Sequence, residues 1–199
     1  MKPVSRKRRQ RLIVAMTGAT GSIYGVRILE TLRAIGGWET HLIVSDAGAL
    51  NAWYDHKLSR KDLAKLADVV HNVRDVGASI ASGSFQTDGM VIAPCSVNTM
   101  SAIATGVCSN LLLRAADVTL KERRPLILMV RESPLHLGHL RTMVALAEMG
   151  AVIAPPVPGF YHQPATILDL VDHSVDRVLD LLGAPSQTAR RWDGAVNRE

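Results

Sequence analysis

The fold is decided first by residues 12–21, LIVAMTGATG, in which five apolar residues lead directly into a glycine-rich loop. The same layout returns at residues 90–99, MVIAPCSVNT, and at residues 126–134, LILMVRESP. Each apolar run is typical of a strand buried on both faces, and a helical pattern follows each loop. In a parallel sheet the three loops emerge at the carboxyl edge, where α/β proteins bind ligands. The sequence therefore predicts a site for a phosphate-bearing ligand at that edge.

The rest of the chain alternates between strand and helix in the same way. We expect further strands near 41–44, 68–73 and 151–154, and helices near 22–34, 60–67, 110–121, 137–149 and 166–182. This order predicts an α/β, Rossmann-like or flavodoxin-like three-layer fold, with a parallel sheet covered by helices on both faces. Helix 110–121 is apolar around most of its circumference, so we expect it to be buried against the sheet or against another subunit. Residues 79–84 are small and predict a flexible segment.

Composition limits the classes of protein to consider. The 199 residues are 47% hydrophobic, enough for one domain with a real core. The formal charge of +5 arises at the N-terminus, because six of the 23 basic residues lie within residues 2–11, without an acidic one. We expect a basic, disordered tail over 1–10, a single domain over 11–183 and a C-terminal tail over 184–199. A solvated tail is a better interpretation than one that binds nucleic acid or a membrane.

Other features argue against several kinds of site. No apolar run is as long as a membrane span or a secretory signal, so we expect a soluble, cytoplasmic protein. The two cysteines, Cys95 and Cys108, form no CxxC pair and indicate neither a disulfide scaffold nor a zinc site. His136 and His139 lie without a matching carboxylate set, so we interpret them as structural and expect no metal.

The glycine loop by itself indicates a nucleotide-type ligand. Gly18 and Gly21 permit a tight turn, and the N–H groups at the start of the next helix can hold a phosphate. The loop is similar to the first turn of short-chain nicotinamide dehydrogenases, but their helical Tyr–Lys pair is missing, since Tyr54 and Lys57 lie in a charged, loop-like stretch. Donors at Ser45 and at residues 96–99 favour FMN instead, although helix capping would explain each serine alone.

Residues 121–136, KERRPLILMVRESPLH, carry a specific resemblance. Together with ASGS at 81–84, PCS at 94–96, RAADV at 114–118 and PGFYH at 158–162, they resemble the UbiX-type flavin prenyltransferases over roughly residues 11–183. The resemblance implies an enzyme that joins a dimethylallyl group to N5 and C6 of reduced FMN. The prenylated FMN would serve a UbiD-type decarboxylase. The resemblance also implies a trimer-based homo-oligomer, a dodecamer, with active sites between subunits.

The resemblance assigns roles to single residues. It implies that FMN is held by Gly18, Ala19, Thr20, Ser45, Ser96, Val97, Asn98, Thr99 and Arg131. It implies that dimethylallyl phosphate meets Lys121, Arg131, Tyr161 and Arg177, with Glu132 as the candidate proton donor and no metal. Cations and a hydroxyl suit this chemistry because breaking the allylic C–O bond leaves growing negative charge on the phosphate. Asp55 takes the position of a glutamate that the family carries near the reacting flavin edge, and Thr20 that of a serine.

Alternatives stay open at this point. Lys121 would also complement the dipole of the helix that it ends, and Arg131 and Glu132 would also form an ordinary surface ion pair. Tyr161 would also serve as a packed aromatic residue. Trp192 matches an aromatic residue near the family's C-terminus and either closes the pocket or serves a subunit contact. Two other functions remain: an FMN-dependent decarboxylase of cysteine conjugates, whose Pro-x-Met-Asn-type motif is absent here, and a non-catalytic flavin carrier or regulatory subunit.

Overall fold

Six parallel strands form one sheet with helices on both of its faces. This computed structural model describes residues 8–186. The strands are β1 (Gln10–Met16), β2 (Trp38–Val44), β3 (Val69–His71), β4 (Gly89–Cys95), β5 (Leu126–Val130) and β6 (Val152–Ile153). The helices are α1 (Ser22–Ile35), α2 (Asp46–His56), α3 (Arg60–Ala64), α4 (Val97–Ala104), α5 (Leu111–Lys121), α6 (Leu137–Glu148) and α7 (Ile167–Leu181). The predicted three-layer α/β fold is confirmed.

The order of the strands creates a cleft beside β1. The sheet runs β3-β2-β1-β4-β5-β6, and Leu12 in β1 lies opposite Thr40 in β2 and Gly89 in β4. The chain first builds outward from β1 to β3 and then crosses to the other side of β1. The connections therefore diverge between the carboxyl ends of β1 and β4, which is where open α/β sheets form their binding crevice.

The core has two layers, one on each face of the sheet. Leu12, Val14 and Met16 of β1 join the layer that contains α1 and α7, whereas Ile13 and Ala15 join the layer that contains α4 and α5. Such alternation follows from the two-residue period of a strand. Most of α5, including its three leading leucines, is buried in the second layer. This helix is therefore buried against the sheet of its own chain.

Two local predictions were wrong. The stretch around Tyr54 belongs to helix α2 and is not a loop; only Gly48 and Ala52 of this helix are buried, so it lacks an apolar period that would reveal it. The segment predicted to be flexible contains a 3-10 turn over Ser79–Ala81. Arginines from α5 and from the loop after it hold this segment, because Arg114 Nε donates to Ala81 O at 3.1 Å and Arg124 donates to Gly83 O at 2.7 Å.

The N-terminal boundary differs from the expected one. Strand β1 begins at Gln10, and Arg8 and Arg9 pair with Asp88 and Asp68 at 3.0 and 3.3 Å. These residues join the domain that we expected to begin at Arg11. The remaining tail residues, 1–7 and 187–199 with Trp192, lie outside the described residues. Within the described part, no helix has the length and apolar character needed to cross a membrane.

Candidate active site

A cavity of about 730 Å³ opens at the carboxyl ends of β1 and β4. Its volume lies in the range of small-molecule sites. It is lined by all nine residues that the resemblance assigns to FMN, together with the candidate proton donor: Gly18, Ala19, Thr20, Ser45, Ser96, Val97, Asn98, Thr99, Arg131 and Glu132. Residues more than 110 positions apart in the chain are thus brought to one site, although their individual roles remain predictions.

Thr17 connects the two loops that frame this cavity. Its hydroxyl donates to the carbonyl of Pro94 at 2.9 Å and accepts the N–H of Ser96 at 2.8 Å. The Thr17 N–H donates to the same carbonyl at 3.2 Å. Thr17 is buried, so these bonds are shielded from water and fix the spacing of the loops. Sequence reasoning missed this role, although a hydroxyl directly after a buried strand was a signal for it.

Two helix N-termini meet at the cavity. Ser45 caps α2 by accepting the N–H of Gly48 at 2.9 Å, and Ser96 caps α4 by accepting the N–H of Thr99 at 3.3 Å. Residues 97–99, which we expected in a loop, form the first turn of α4. Unpaired N–H groups and the positive end of the helix dipole favour an anion at such positions. The site is therefore suited to a ligand with a phosphate.

The N-terminus of α1 is different, because a carboxylate occupies it. Asp55 accepts hydrogen bonds from the Thr20 hydroxyl and the Gly21 N–H, both at 2.8 Å, and from the Ser22 N–H at 3.3 Å. Burial raises the pKa of Asp55, but these hydrogen bonds outweigh it and the pKa is lowered overall. These N–H groups, which we expected to hold a phosphate, are thus bonded to a carboxylate, and this disfavours a second anion at the same helix end. Asp55 lines an adjoining cavity of about 440 Å³ that shares Thr20 and Arg131 with the first.

Arg131 and Glu132 lie directly after β5, at the edge of the main cavity. The Arg131 N–H donates to the carbonyl of Cys95 at 3.1 Å, which fixes the end of β5 against β4. Glu132 accepts the N–H of Ser133 at 2.9 Å. Within residues 8–186 neither side chain forms an ion pair, so they are not the surface pair considered above. The Arg131 guanidinium is available to an anionic ligand.

Three predicted residues do not line the cavity in the single chain. Lys121 pairs with Glu122 at the end of α5, beside Gly83. The start of α5, as far as Leu113, lines the cavity, so about 12 Å of helix separates Lys121 from it. The Tyr161 hydroxyl lies 2.6 Å from His173 Nε2, and Arg177 pairs with Asp180 at 3.4 Å on α7. The cavity of the single chain therefore contains all of the residues predicted to hold FMN. Three of the residues predicted to meet dimethylallyl phosphate, Lys121, Tyr161 and Arg177, lie outside it.

The matches to known proteins agree with this geometry. A family model named Flavoprotein matches residues 2–178. The flavin prenyltransferase UbiX of Thauera aromatica is 53% identical over 189 residues, covering 95% of this chain and 97% of that protein. This chain is a UbiX-type flavoprotein. The resemblance seen in the sequence is thereby confirmed.

Solved UbiX-type structures share the whole fold. One, named AnUbiX in complex with FMN and dimethylallyl pyrophosphate, has a TM-score of 0.93 at 46% identity, covering 95% of this chain and 100% of that chain. A structure described as a dodecameric FMN-dependent UbiX-like decarboxylase, from Escherichia coli O157:H7, has a TM-score of 0.91 at 48% identity, covering 93% of this chain and 100% of that chain. The peptidyl-cysteine decarboxylase EpiD reaches a TM-score of 0.61 at 16% identity, covering 87% and 98%, which shows a shared fold alone.

The cavity of this UbiX-type chain has further walls that sequence reasoning did not assign. Asn110 caps α5 by accepting the N–H of Leu113 at 3.0 Å and also lines the cavity. An asparagine directly before an apolar helix was the signal for the cap but not for the cavity. The other additional lining residues are Ala47, Asn51, Ala102, Val107, Ser109, Leu112 and Leu113. Five of these seven residues are apolar, so they add to the cavity the apolar surface that a flat aromatic ring system requires.

Proposed function

We propose that the protein is a flavin prenyltransferase that joins the dimethylallyl group of dimethylallyl phosphate to N5 and C6 of reduced FMN. The observation that carries this proposal is the single cavity in which the predicted FMN residues meet Arg131 and Glu132. The relative from Thauera aromatica bears the same activity in its name. We propose that a UbiD-type decarboxylase receives the product and that the reaction takes place in the cytoplasm, since Cys95 and Cys108 are both free thiols.

The residues at the cavity fit FMN. The capped N-termini of α2 and α4 supply hydroxyl and amide donors for a phosphate and a ribityl chain, and Leu112 and Leu113 supply apolar surface for the ring system. Reduced flavin supplies an electron-rich acceptor for an allylic carbon. The net change is redox neutral: the allylic C–O bond breaks, bonds to N5 and C6 form, the N5 proton leaves with the phosphate, and the proton lost from C6 is matched by one gained at the prenyl alkene.

Arg131 provides the first stabilisation of the departing phosphate. Its planar guanidinium presents two parallel donors to phosphate oxygens, and its interaction with them strengthens as negative charge develops. Glu132, the next residue, is the proposed proton donor to a phosphate oxygen. We propose that Tyr161 and Arg177 approach the same phosphate from the segment 155–177, because Pro156, Ile167 and Val171 of that segment line the cavity that also contains Arg131.

Lys121 requires a second copy of the chain. It lies about 12 Å along α5 from Leu113, the nearest residue of this helix that lines the cavity, too far for its side chain to reach a phosphate at Arg131. We propose that Lys121 serves the site of a neighbouring subunit in a trimer-based dodecamer. The E. coli O157:H7 protein with the same fold is described as dodecameric. The site would then contain cations from two copies, Lys121 from one and Arg131 from the other.

The test is the mass of the flavin that the enzyme releases. Purified protein is incubated anaerobically with reduced FMN and dimethylallyl monophosphate, and the flavin is extracted and weighed by mass spectrometry. A gain of one isoprenyl unit is expected. Unmodified flavin with both the monophosphate and the diphosphate, from protein that demonstrably binds FMN, would contradict the proposal and favour a decarboxylase or a flavin carrier. Loss of CO₂ from a cysteine conjugate would then separate those two.

A further inference from the structure

Three aromatic side chains form a cluster beyond the catalytic cavity. The Tyr161 hydroxyl lies 2.6 Å from His173 Nε2, and the two rings meet edge to face with centroids 5.3 Å apart. His162 stacks on His173 with a centroid distance of 4.3 Å and an interplanar angle of 12°, and it also meets Tyr161 edge to face at 5.5 Å. The hydroxyl of a half-exposed tyrosine is thus held by a specific partner, which neither the motifs nor the resemblance indicated.

His173 sits on a rigid element, whereas Tyr161 sits on the loop before it. Helix α7 begins with a capping box, in which Asp169 accepts the Thr166 N–H at 2.9 Å and Thr166 accepts the Asp169 N–H at 3.2 Å. The residue beside His173, Asp172, forms a two-point ion pair with Arg27 of α1 at 2.7 and 2.9 Å. The helix can therefore fix the loop through the contact between the histidine and the tyrosine.

Gly159 allows this contact to be close. A Cβ atom at this position would lie 3.3 Å from ring carbons of both Tyr161 and His173, closer than most side-chain contacts. Any other residue would push the two rings apart by a few tenths of an ångström. The Pro-Gly turn before the tyrosine therefore contributes to the hydrogen bond by leaving room for it.

The chemistry of the hydroxyl decides how His173 must act. A tyrosine hydroxyl has one proton, and the oxygens of an ionised phosphate only accept hydrogen bonds. If His173 Nε2 accepts that proton, Tyr161 has none left for the substrate. If Nε2 carries a proton and donates to the phenol oxygen, the hydroxyl proton is free to point at a phosphate oxygen.

We propose that His173 is a positioning residue that donates from its Nε2–H to the Tyr161 oxygen and so directs the tyrosine hydroxyl proton toward the prenyl phosphate. This inference rests on the proposed function, because it gives the phosphate as the partner of Tyr161. It extends that function because His173, on α7, would set the direction in which the Tyr161 hydroxyl donates.

The charge state of the cluster fits positioning rather than proton transfer. Burial lowers the pKa of His173, and the nearby His162 and Arg177 lower it further. Among residues 8–186, the groups that contact the ring or act on its charge include Tyr161 and His162 from the loop and Arg177 from α7. At neutral pH the ring is uncharged and works as a fixed donor. A cationic His173 would lie beside Arg177, which disfavours it.

The first test is a double-mutant cycle in single-turnover prenylation. His173→Phe keeps a stacking ring but removes the donor, and should lower the rate about tenfold while the affinity for FMN and the KM for dimethylallyl phosphate stay within about twofold. His173→Gln offers an amide N–H near the same place and should restore most of the rate. Tyr161→Phe and the double variant His173→Phe/Tyr161→Phe should be equally slow, because His173 acts through the tyrosine. The proposal would be overturned if the rate losses of the two single variants multiply in the double variant, or if His173→Phe reacts as fast as the wild type.

A second measurement does not depend on activity. Nitrogen-15 NMR of the histidine-labelled wild-type protein reports which ring nitrogen carries the proton, and His173→Gln identifies the signal. The Nε2–H tautomer is expected, and the Nδ1–H tautomer would overturn the proposal even if the enzyme is active. If the wild-type enzyme does not prenylate flavin, the proposed function fails, whereas the tautomer still decides whether His173 donates to Tyr161.

Discussion

Two inactive variants of this chain should restore each other when their subunits are mixed. Lys121→Ala and Arg131→Ala each remove a cation from the proposed phosphate site. In one chain Lys121 ends α5 and Arg131 follows the end of β5, and about 12 Å of helix separates Lys121 from the cavity. A lysine side chain spans about 6 Å, so Lys121 reaches substrate only in another copy.

The expected magnitude follows from counting intact sites. Each variant alone should lose about a hundredfold in kcat, as when a donor to a developing anion is removed. In assemblies of equal amounts of both variants, half of the Lys121 positions and half of the Arg131 positions are intact. If each site takes one residue from each of two copies, about a quarter of the sites are complete. Activity should therefore return to about a quarter of the wild-type value.

The assay is single-turnover prenylation by co-expressed, differently tagged subunits, purified through both tags. As a control, Lys121→Ala/Arg131→Ala chains are co-assembled with wild-type chains: about a quarter of wild-type activity is expected if the residues come from different copies, and about a half if they come from one. Lys65→Ala, which removes an exposed lysine paired with Asp62, should keep full activity. Mixed assemblies no more active than the single variants would refute the shared site.

Three further predictions concern the frame of the cavity. Thr17→Val should destabilise the protein by about 1–3 kcal/mol in urea denaturation and weaken FMN binding, whereas the exposed Thr105→Val should do neither. Gly48→Ala should cost about 1–3 kcal/mol, because its Cβ would lie 2.5 Å from the Met16 carbonyl, while Gly77→Ala, with its nearest neighbour at 3.5 Å, should be neutral. Asp55→Asn should lose about 1 kcal/mol at pH 7. Because the folded state lowers the Asp55 pKa from 3.8, its contribution is present above that value and lost as the pH falls through the folded pKa, so wild type and variant should converge in acid.

The strands were predictable because burial alone determines them. Strands β1, β4 and β5 lie inside the sheet and are covered on both faces, so each reads as an uninterrupted apolar run. Helix α2 was missed for the opposite reason: few of its residues are buried, and tertiary contacts define it. Ser45 caps it, and Gly48 packs against the backbone of Met16. The helix depends on contacts with residues that are distant in the sequence, and the local spacing of apolar residues does not reveal such contacts.

The cavity was predictable for a topological reason, whereas its internal connections were not. Residues that follow parallel strands must meet at one edge, so the lining could be predicted before any contact was known. The hydrogen bonds of Thr17 to Pro94 and Ser96, and that of Tyr161 to His173, join residues that no periodicity relates. Asp55 was assigned through resemblance to the flavin edge, yet both of its oxygens accept from the glycine loop.

The position of Asp55 changes where the anion must bind. A carboxylate that accepts the first N–H groups of α1 cancels the attraction of that helix end for a phosphate and adds a negative charge beside Thr20. The capped ends of α2 and α4 carry no such carboxylate bond on their first N–H groups within the described chain, and Arg131 lies on the same cavity. The positive potential of the site therefore lies at the starts of α2 and α4, which follow β2 and β4, and at Arg131 after β5. The departing phosphate of dimethylallyl phosphate, held at Arg131, would lie next to Glu132, the one residue of the lining that is proposed to give up a proton.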